Sequence, residues 1–250
     1  MKKNFFILAS SVLFSLIIFT TCGLDTYYTL SPPPMATNQP DATATGYDAA
    51  QMYFGFISAT NTNYDTSFRF LGTAVYYRIY ASASTMLSHR ASISAVNTSS
   101  DYSAAANRMI SYGYQQLYTS DGSIQPLISA EGRKVEIRLT NNHEEVSSGI
   151  ANTAQVSIDG SVWKTPRRAL GTNKTFDFGR YEMSKYNAQK NNYTPPTLGD
   201  EDFENGTADE NKYYVTMYAV AVGRDTTYTT YYSNVLYLGS IVINADNEHN

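Results

Sequence analysis

The chain is poor in the residues that supply covalent staples, metal ligands and charge. With a single cysteine, Cys22, it can form no internal disulfide, and a structural zinc site would lack its usual thiolates. The three histidines, His89, His143 and His249, share no metal-ligand spacing, and His143-Glu144-Glu145 lacks the second histidine of an H-E-x-x-H zinc motif. Charged residues make up only 16% of the chain, and the cations are scattered; the densest group is Lys164, Arg167 and Arg168. Phosphate backbones are held by a basic stripe that releases counterions, so nucleic acid is not an expected partner. Phosphate-binding glycine loops and the G-x-S-x-G elbow are absent, and no cofactor is implied. Ser161-Val162-Trp163-Lys164 has S-x-x-K spacing, but it follows a turn signal and reads as strand, where serine and lysine would face opposite ways.

The one sustained apolar stretch, Phe5 to Phe19, is broken only by serines. It is shorter than the about 20 residues a bilayer-spanning helix needs. Lys2 and Lys3 precede it, and Thr20, Thr21, Cys22 and Gly23 follow, which is the layout of a secretory signal with a processing site. A thiol at that point is nucleophilic enough to take a diacylglyceryl group before the preceding peptide bond is cut. The segment Ile18-Phe19-Thr20-Thr21-Cys22 resembles the looser lipoboxes of spirochaete lipoproteins. That resemblance implies removal of residues 1–21, palmitate-type acylation of Cys22, and attachment to the cell envelope, with the outer membrane expected and its surface or periplasmic face left open. Acyl chains contribute about 0.8 kcal/mol per buried methylene, so several on one cysteine make a stable anchor. Loss of residues 1–21 would move the formal charge from −4 to −6.

Residues 22–50 have little apolar content and carry Pro32, Pro33, Pro34 and Pro40, which reads as a Pro/Thr-rich tether spanning roughly 30 Å as a coil. The remaining residues, 51–244, are enough for one large domain, with a polar tail at 245–250. Tyrosine is over-represented, 22 residues against 11 phenylalanines. Tyr and Thr fit pleated, half-buried surfaces, so the fold expected is mainly β with hydroxyl-rich faces.

Strand patterns begin near Gln51 with Tyr53, Phe54, Phe56 and Ile57, and recur from Ser67 to Leu71, where Gly72 closes the run, and from Thr73 to Ser82. A single helix is predicted over about Tyr102 to Gln116, with Ala105, Met109 and Tyr112 on one face. Lys134 to Thr140 alternates cleanly. Val156 and Ile158 lead through Asp159-Gly160 to Val162 and Trp163, a strong hairpin signal. The acidic stretch from Gly199 to Asn211 reads as a loop, and Asp200 to Gly206 places its glycine seventh where a calcium loop needs it sixth, so no metal site is assigned. Strands are predicted again over Tyr213 to Val222 and Ser233 to Ile243.

The order Tyr213-x-Val215-x-Met217-x-Ala219-x-Ala221, then Gly223, then Ser233-Asn234-Val235, resembles strands F and G of fibronectin type III domains. Gly72 followed by Tyr77-Arg78-Ile79 resembles their strand C. The resemblance covers about a quarter of the chain and implies an immunoglobulin/fibronectin type III-like β-sandwich with a large insertion, at about 83–210, containing one short helix. It also implies binding or spacing rather than catalysis, although a fold alone does not fix function. The expected role is therefore non-enzymatic, with a host or envelope protein or a glycan as partner. Tyr228, Tyr231 and Tyr232 in the F–G connection are the candidate contacts, because tyrosine combines apolar area with a hydroxyl at low entropic cost. The alternatives are a glycan-acting enzyme or peptidase using Asp200, Asp202 or Glu204, and an envelope assembly subunit.

Overall fold

The structure is a computed structural model that describes residues 28–44, 51–63, 65–98, 100–121, 126–139, 154–171, 176–178, 196–209 and 212–244. Cys22, the apolar leader before it, His143, His249 and the expected tail lie outside the described residues. Described residues form a mainly β fold. One antiparallel sheet is ordered β1 (Ala36–Asn38), β2 (Phe54–Ile57), β6 (Lys134–Arg138), β7 (Gln155–Ile158), β8 (Ser161–Lys164). The other runs β10 (Phe203–Glu204), β3 (Phe68–Tyr80), β11 (Lys212–Asp225), β12 (Thr230–Asn244), with β4 (Gln115–Gln116) added to β3. A small ladder pairs β5 (Tyr118–Thr119) with β9 (Pro166–Arg167).

The two large sheets share one core. Phe54, Phe56, Val135, Ile137 and Val156 of the first meet Val75, Tyr77, Ile79, Val215, Met217 and Ile241 of the second. Each such side chain, fully buried, contributes about 1.5–3 kcal/mol. A second core lies on the opposite face of β3 and β11, where α1 (Ala83–Ala95) and α2 (Ala104–Ser111) pack: Ala74, Tyr80, Tyr218 and Val220 meet Met86, Ile93 and Met109. The β3–β11–β12 sheet is thus a middle layer. This is why β3 and β11 are buried on both faces through their central residues instead of alternating with water.

Several expectations are corrected by this arrangement. Two helices are present, not one. The predicted helix appears as α2, trimmed to Ala104–Ser111, whereas α1 escapes a pattern search because its serine-rich sequence buries only Met86 and Ile93. Gly72 does not end a strand: β3 runs through it with φ at 135°, and the Thr73 N–H and carbonyl bond the Ile128 backbone at 2.8 and 3.0 Å. A Cβ at Gly72 would sit 2.3 Å from the Ile128 carbonyl oxygen. Residues 28–44, expected as tether, are built into the fold. Leu30 is buried in a small cluster with Phe68 and Ala221, and β1 pairs with β2. The acidic loop contributes β10, which runs parallel to β3 through Phe203↔Ile79 and Glu204↔Tyr80. The segment at about 83–210 supplies α1, α2 and β4 to β10, of which β6 to β8 complete the sheet begun by β1 and β2. The Asp159-Gly160 hairpin forms as read, with φ of 50° and 79°, between β7 and β8.

The free edge of β12 is covered rather than bare. Ser240 N–H donates to the Pro40 carbonyl at 2.8 Å, Gln39 Nε2 to the Tyr237 carbonyl at 2.7 Å, and Ser103 Oγ to the Tyr232 carbonyl at 3.3 Å. The Asn97 amide imitates a neighbouring strand, donating to the Val235 carbonyl at 2.9 Å and accepting from its N–H at 3.0 Å. Gly239, with φ at 119°, is what admits the chain this closely, since a Cβ there would meet the Pro40 oxygen at 2.5 Å.

Gly72→Ala is expected to destabilise the fold by about 2–3 kcal/mol, because it combines a strained backbone angle with a clash against main chain. Urea denaturation should show a lowered midpoint with an unchanged slope.

Candidate functional site

The acidic segment folds as a structural clamp. Arg168 is completely buried; its Nε donates to Asp202 Oδ2 at 2.8 Å and its Nη2 to Asp202 Oδ1 at 2.5 Å and to Asp200 Oδ2 at 2.6 Å. The Tyr77 hydroxyl donates to Asp202 Oδ2 at 2.6 Å and accepts from the Ala169 N–H at 2.7 Å. Burial and then the adjacent Asp202 push the Tyr77 phenol well above its ordinary range. For Arg168, burial disfavours the charge, but hydrogen bonding to Asp202 outweighs it and raises the pKa. Glu204 accepts from Arg78 Nη2 at 2.5 Å, and Arg78 Nη1 also reaches the Gly113 carbonyl at 2.6 Å.

Asp209 closes the series. Its Oδ2 accepts from the Ala83 N–H at 2.9 Å, satisfying an orphan donor in the first turn of α1 that the Ser82 side chain leaves open. That bond, and a second from Tyr214, hold the Asp209 carboxyl below its ordinary value. The Tyr214 phenol, raised by burial and by Asp209, is pushed up to about 12. Asp200, Asp202 and Glu204 are therefore each committed to an arginine, and Asp202 is fully buried. They do not converge on an open cleft.

The three candidate tyrosines are separated. Tyr228 stands at the tip of the β11–β12 hairpin, 78% exposed and with φ at 67°, in a turn that Asp225 organises by accepting from the Thr227 and Thr229 N–H groups, both at 2.9 Å. Tyr231 and Tyr232 are neighbours in a strand and so point to opposite faces. Tyr231 packs edge-on against Tyr28 and Phe68, with centroids 5.5 and 5.8 Å away, and its hydroxyl donates to Asp225 at 3.1 Å. Tyr232 packs beside the helix-side core.

Six of the described tyrosines, Tyr76, Tyr77, Tyr80, Tyr114, Tyr214 and Tyr218, are buried. Between the middle sheet and the helices, the Tyr80 hydroxyl lies 3.1 Å from that of Tyr114, which lies 2.7 Å from Thr216 Oγ1, and Gln116 Nε2 donates to the Tyr76 hydroxyl at 2.8 Å. His89 shares in this layer: its ring stacks on Tyr112 at 3.9 Å, its Nδ1 lies 3.2 Å from the Tyr80 hydroxyl, and burial lowers its pKa.

This layer opens beside the end of α1. A cavity of about 270 Å³ lies between the last turns of α1 and the β11–β12 surface. Tyr218, Val235 and Tyr237 come from the sheet, Arg90, Ile93 and Asn97 from the α1 side, and Gln39 from the segment covering the sheet edge. Strand register places Tyr218 opposite Tyr237, with ring centroids 5.3 Å apart. The Arg90 guanidinium sits over the Tyr237 ring, 4.2 Å from its centroid, in a cation–π contact. Asn97 and Gln39 spend their amides on the β12 backbone, but the Tyr218 hydroxyl is buried without a hydrogen-bond partner among the described residues. Burial raises the Tyr218 phenol far above its ordinary value, with the nearby Tyr114 and Tyr237 adding to the shift and Arg90 opposing it. Tyr237 is likewise raised by burial, against hydrogen bonds from Ser240 and Arg90. Sequence reading missed this site because its residues are drawn from four separate segments with no shared motif.

Comparison of the chain with protein-family models, with curated proteins and with solved structures gives no match.

Asp202→Ala leaves the buried Arg168 with Asp200 as its one remaining carboxylate among the described residues, and should cost about 3–5 kcal/mol in urea denaturation. The double change Arg168→Met with Asp202→Leu should recover most of that loss, because apolar replacement removes both desolvated charges together. A pH dependence also follows from Asp200. Burial works to raise its pKa, but the Thr197 N–H and Arg168 win and hold it below the ordinary 3.8. A depressed carboxylate stabilises the fold above its unfolded value and loses that contribution as pH falls through the folded value. Thermal melts should therefore drop as pH falls below 3.8, and Asp200→Asn should flatten that part of the profile.

Proposed function

We propose that the chain is a lipid-anchored protein of the bacterial cell envelope whose domain has a non-catalytic binding role. The observation that carries this reading is Cys22, placed directly after the apolar stretch Phe5 to Phe19 and a positive start. The strand order supports a fibronectin type III-like reading of the scaffold: β3, β11 and β12, the segments resembling C, F and G, lie side by side in that order, opposite a sheet in which β1, β2 and β6 are neighbours. Parallel β10, the β7–β8 extension and the helical layer are additions to that plan.

A binding role is favoured over hydrolysis by acidic residues because Asp200, Asp202 and Glu204 are held by Arg168 and Arg78. Two features offer contact with a partner: Tyr228 at the hairpin tip and the cavity beside α1.

Metabolic labelling with palmitate should mark the wild-type protein and leave Cys22→Ala unlabelled and released from the membrane fraction. Label retained by the alanine variant would overturn the anchoring assignment. Protease added to intact cells then separates surface display from a periplasmic position.

A further inference from the structure

We propose that the cavity between α1 and the β11–β12 surface binds a small molecule that joins one ring-sized apolar group to a carboxylate, a ligand class that deepens the binding role proposed above and rests on it. Its size sets the first limit. A cavity of about 150 Å³ holds one benzene, and ligand sites in general run from about 300 Å³ upward, so 270 Å³ accommodates a single substituted ring.

Its chemistry sets the second. The Tyr218 and Tyr237 rings, with Ile93 and Val235, offer apolar and aromatic contact to a ring. Arg90 offers positive charge at the same wall, and no carboxylate of the described residues lies within salt-bridge distance of it. Asp41, whose carboxyl feels the Arg90 charge, is occupied at 2.9 and 2.7 Å by the Thr43 N–H and hydroxyl. A guanidinium resting on a ring keeps N–H groups for a planar oxygen pair.

The unpartnered Tyr218 hydroxyl sets the third. A buried hydroxyl without a partner forfeits about 1–3 kcal/mol, and this one, closed off from solvent, belongs to a residue that lines the cavity within the field of Arg90. A carboxylate held by Arg90 would accept from the Tyr218 hydroxyl as well once that side chain shifts toward it, leaving its ring between Tyr218, Tyr237 and Val235. The remaining amides of the wall, on Asn97 and Gln39, hold the β12 edge in place and so fix the cavity's shape.

The test is calorimetric titration of the detergent-solubilised full-length protein with sodium benzoate, neutral benzamide and inorganic phosphate. Benzoate should bind with at least about tenfold higher affinity than benzamide or phosphate, the worth of one charge-assisted contact. Arg90→Gln should lose about tenfold or more in benzoate affinity and Tyr218→Phe a smaller, measurable part of it, each with a thermal melt close to wild type. Absence of benzoate binding at about 10 mM, equal binding of benzamide or phosphate, or full affinity in Arg90→Gln would each overturn the proposal. If Arg90→Gln melts early, Arg90→Lys replaces it; Lys keeps the charge without the planar fork and should bind benzoate between wild type and no binding. Palmitate labelling is read separately, so loss of the anchoring assignment leaves this result interpretable.

Discussion

The antiparallel pairing of β3 with β11 is the contact on which everything else depends. Its register runs unbroken from Tyr214↔Tyr80 to Val222↔Gly72, and it puts odd-numbered side chains into one core and even-numbered ones into another. The first sheet, the two helices, β12 and β10 all dock on this pair or on its neighbours. Because the partners lie far apart in the chain, loop-closure entropy must be met before their packing contributes, which makes for a slow-folding topology.

The charged groups serve the same centre. Arg168 and Arg78 gather the acids of one segment against the β3 end of the sheet, and the segment's last acid, Asp209, completes the start of α1. Charges this deeply buried add little net stability over apolar side chains of the same volume, but each partner makes the other's removal costly. They specify where the 200–209 segment lies and through it where the first turn of α1 begins. The far end of that helix forms a wall of the cavity.

What the sequence made legible was local. Asp159-Gly160 carries its own turn geometry, and Lys134 to Arg138 alternates because one face of β6 meets the core and the other is wetter. What it hid was set by layers. Thr73 to Tyr80 looks like a strand with a polar side only until helices cover that side, and the Tyr80 and Tyr114 hydroxyls are then satisfied by each other and by Thr216. The serine-rich α1 carries too weak an apolar stripe to announce itself, and the proline-rich 28–44 segment reads as linker because backbone bonds to β2 and β12 leave no mark on composition. The cavity was invisible for the same reason: Gln39, Arg90, Tyr218 and Tyr237 meet only after all three layers are assembled.

The covering of the β12 edge has a mechanical side. Residues 39–42 lie on the side of the domain's chain that leads back toward Cys22, and they hold the sheet through a short row of contacts ending at Ser240. Under the proposed anchoring, tension from the membrane would load the packing of Tyr28 and Leu30 on Phe68, Ala221 and Tyr231 first and this row of bonds next. The row would act as a fuse. Its release would strip the cover from a long strand edge and open the cavity at Gln39, so that the edge and the cavity depend on the same few hydrogen bonds.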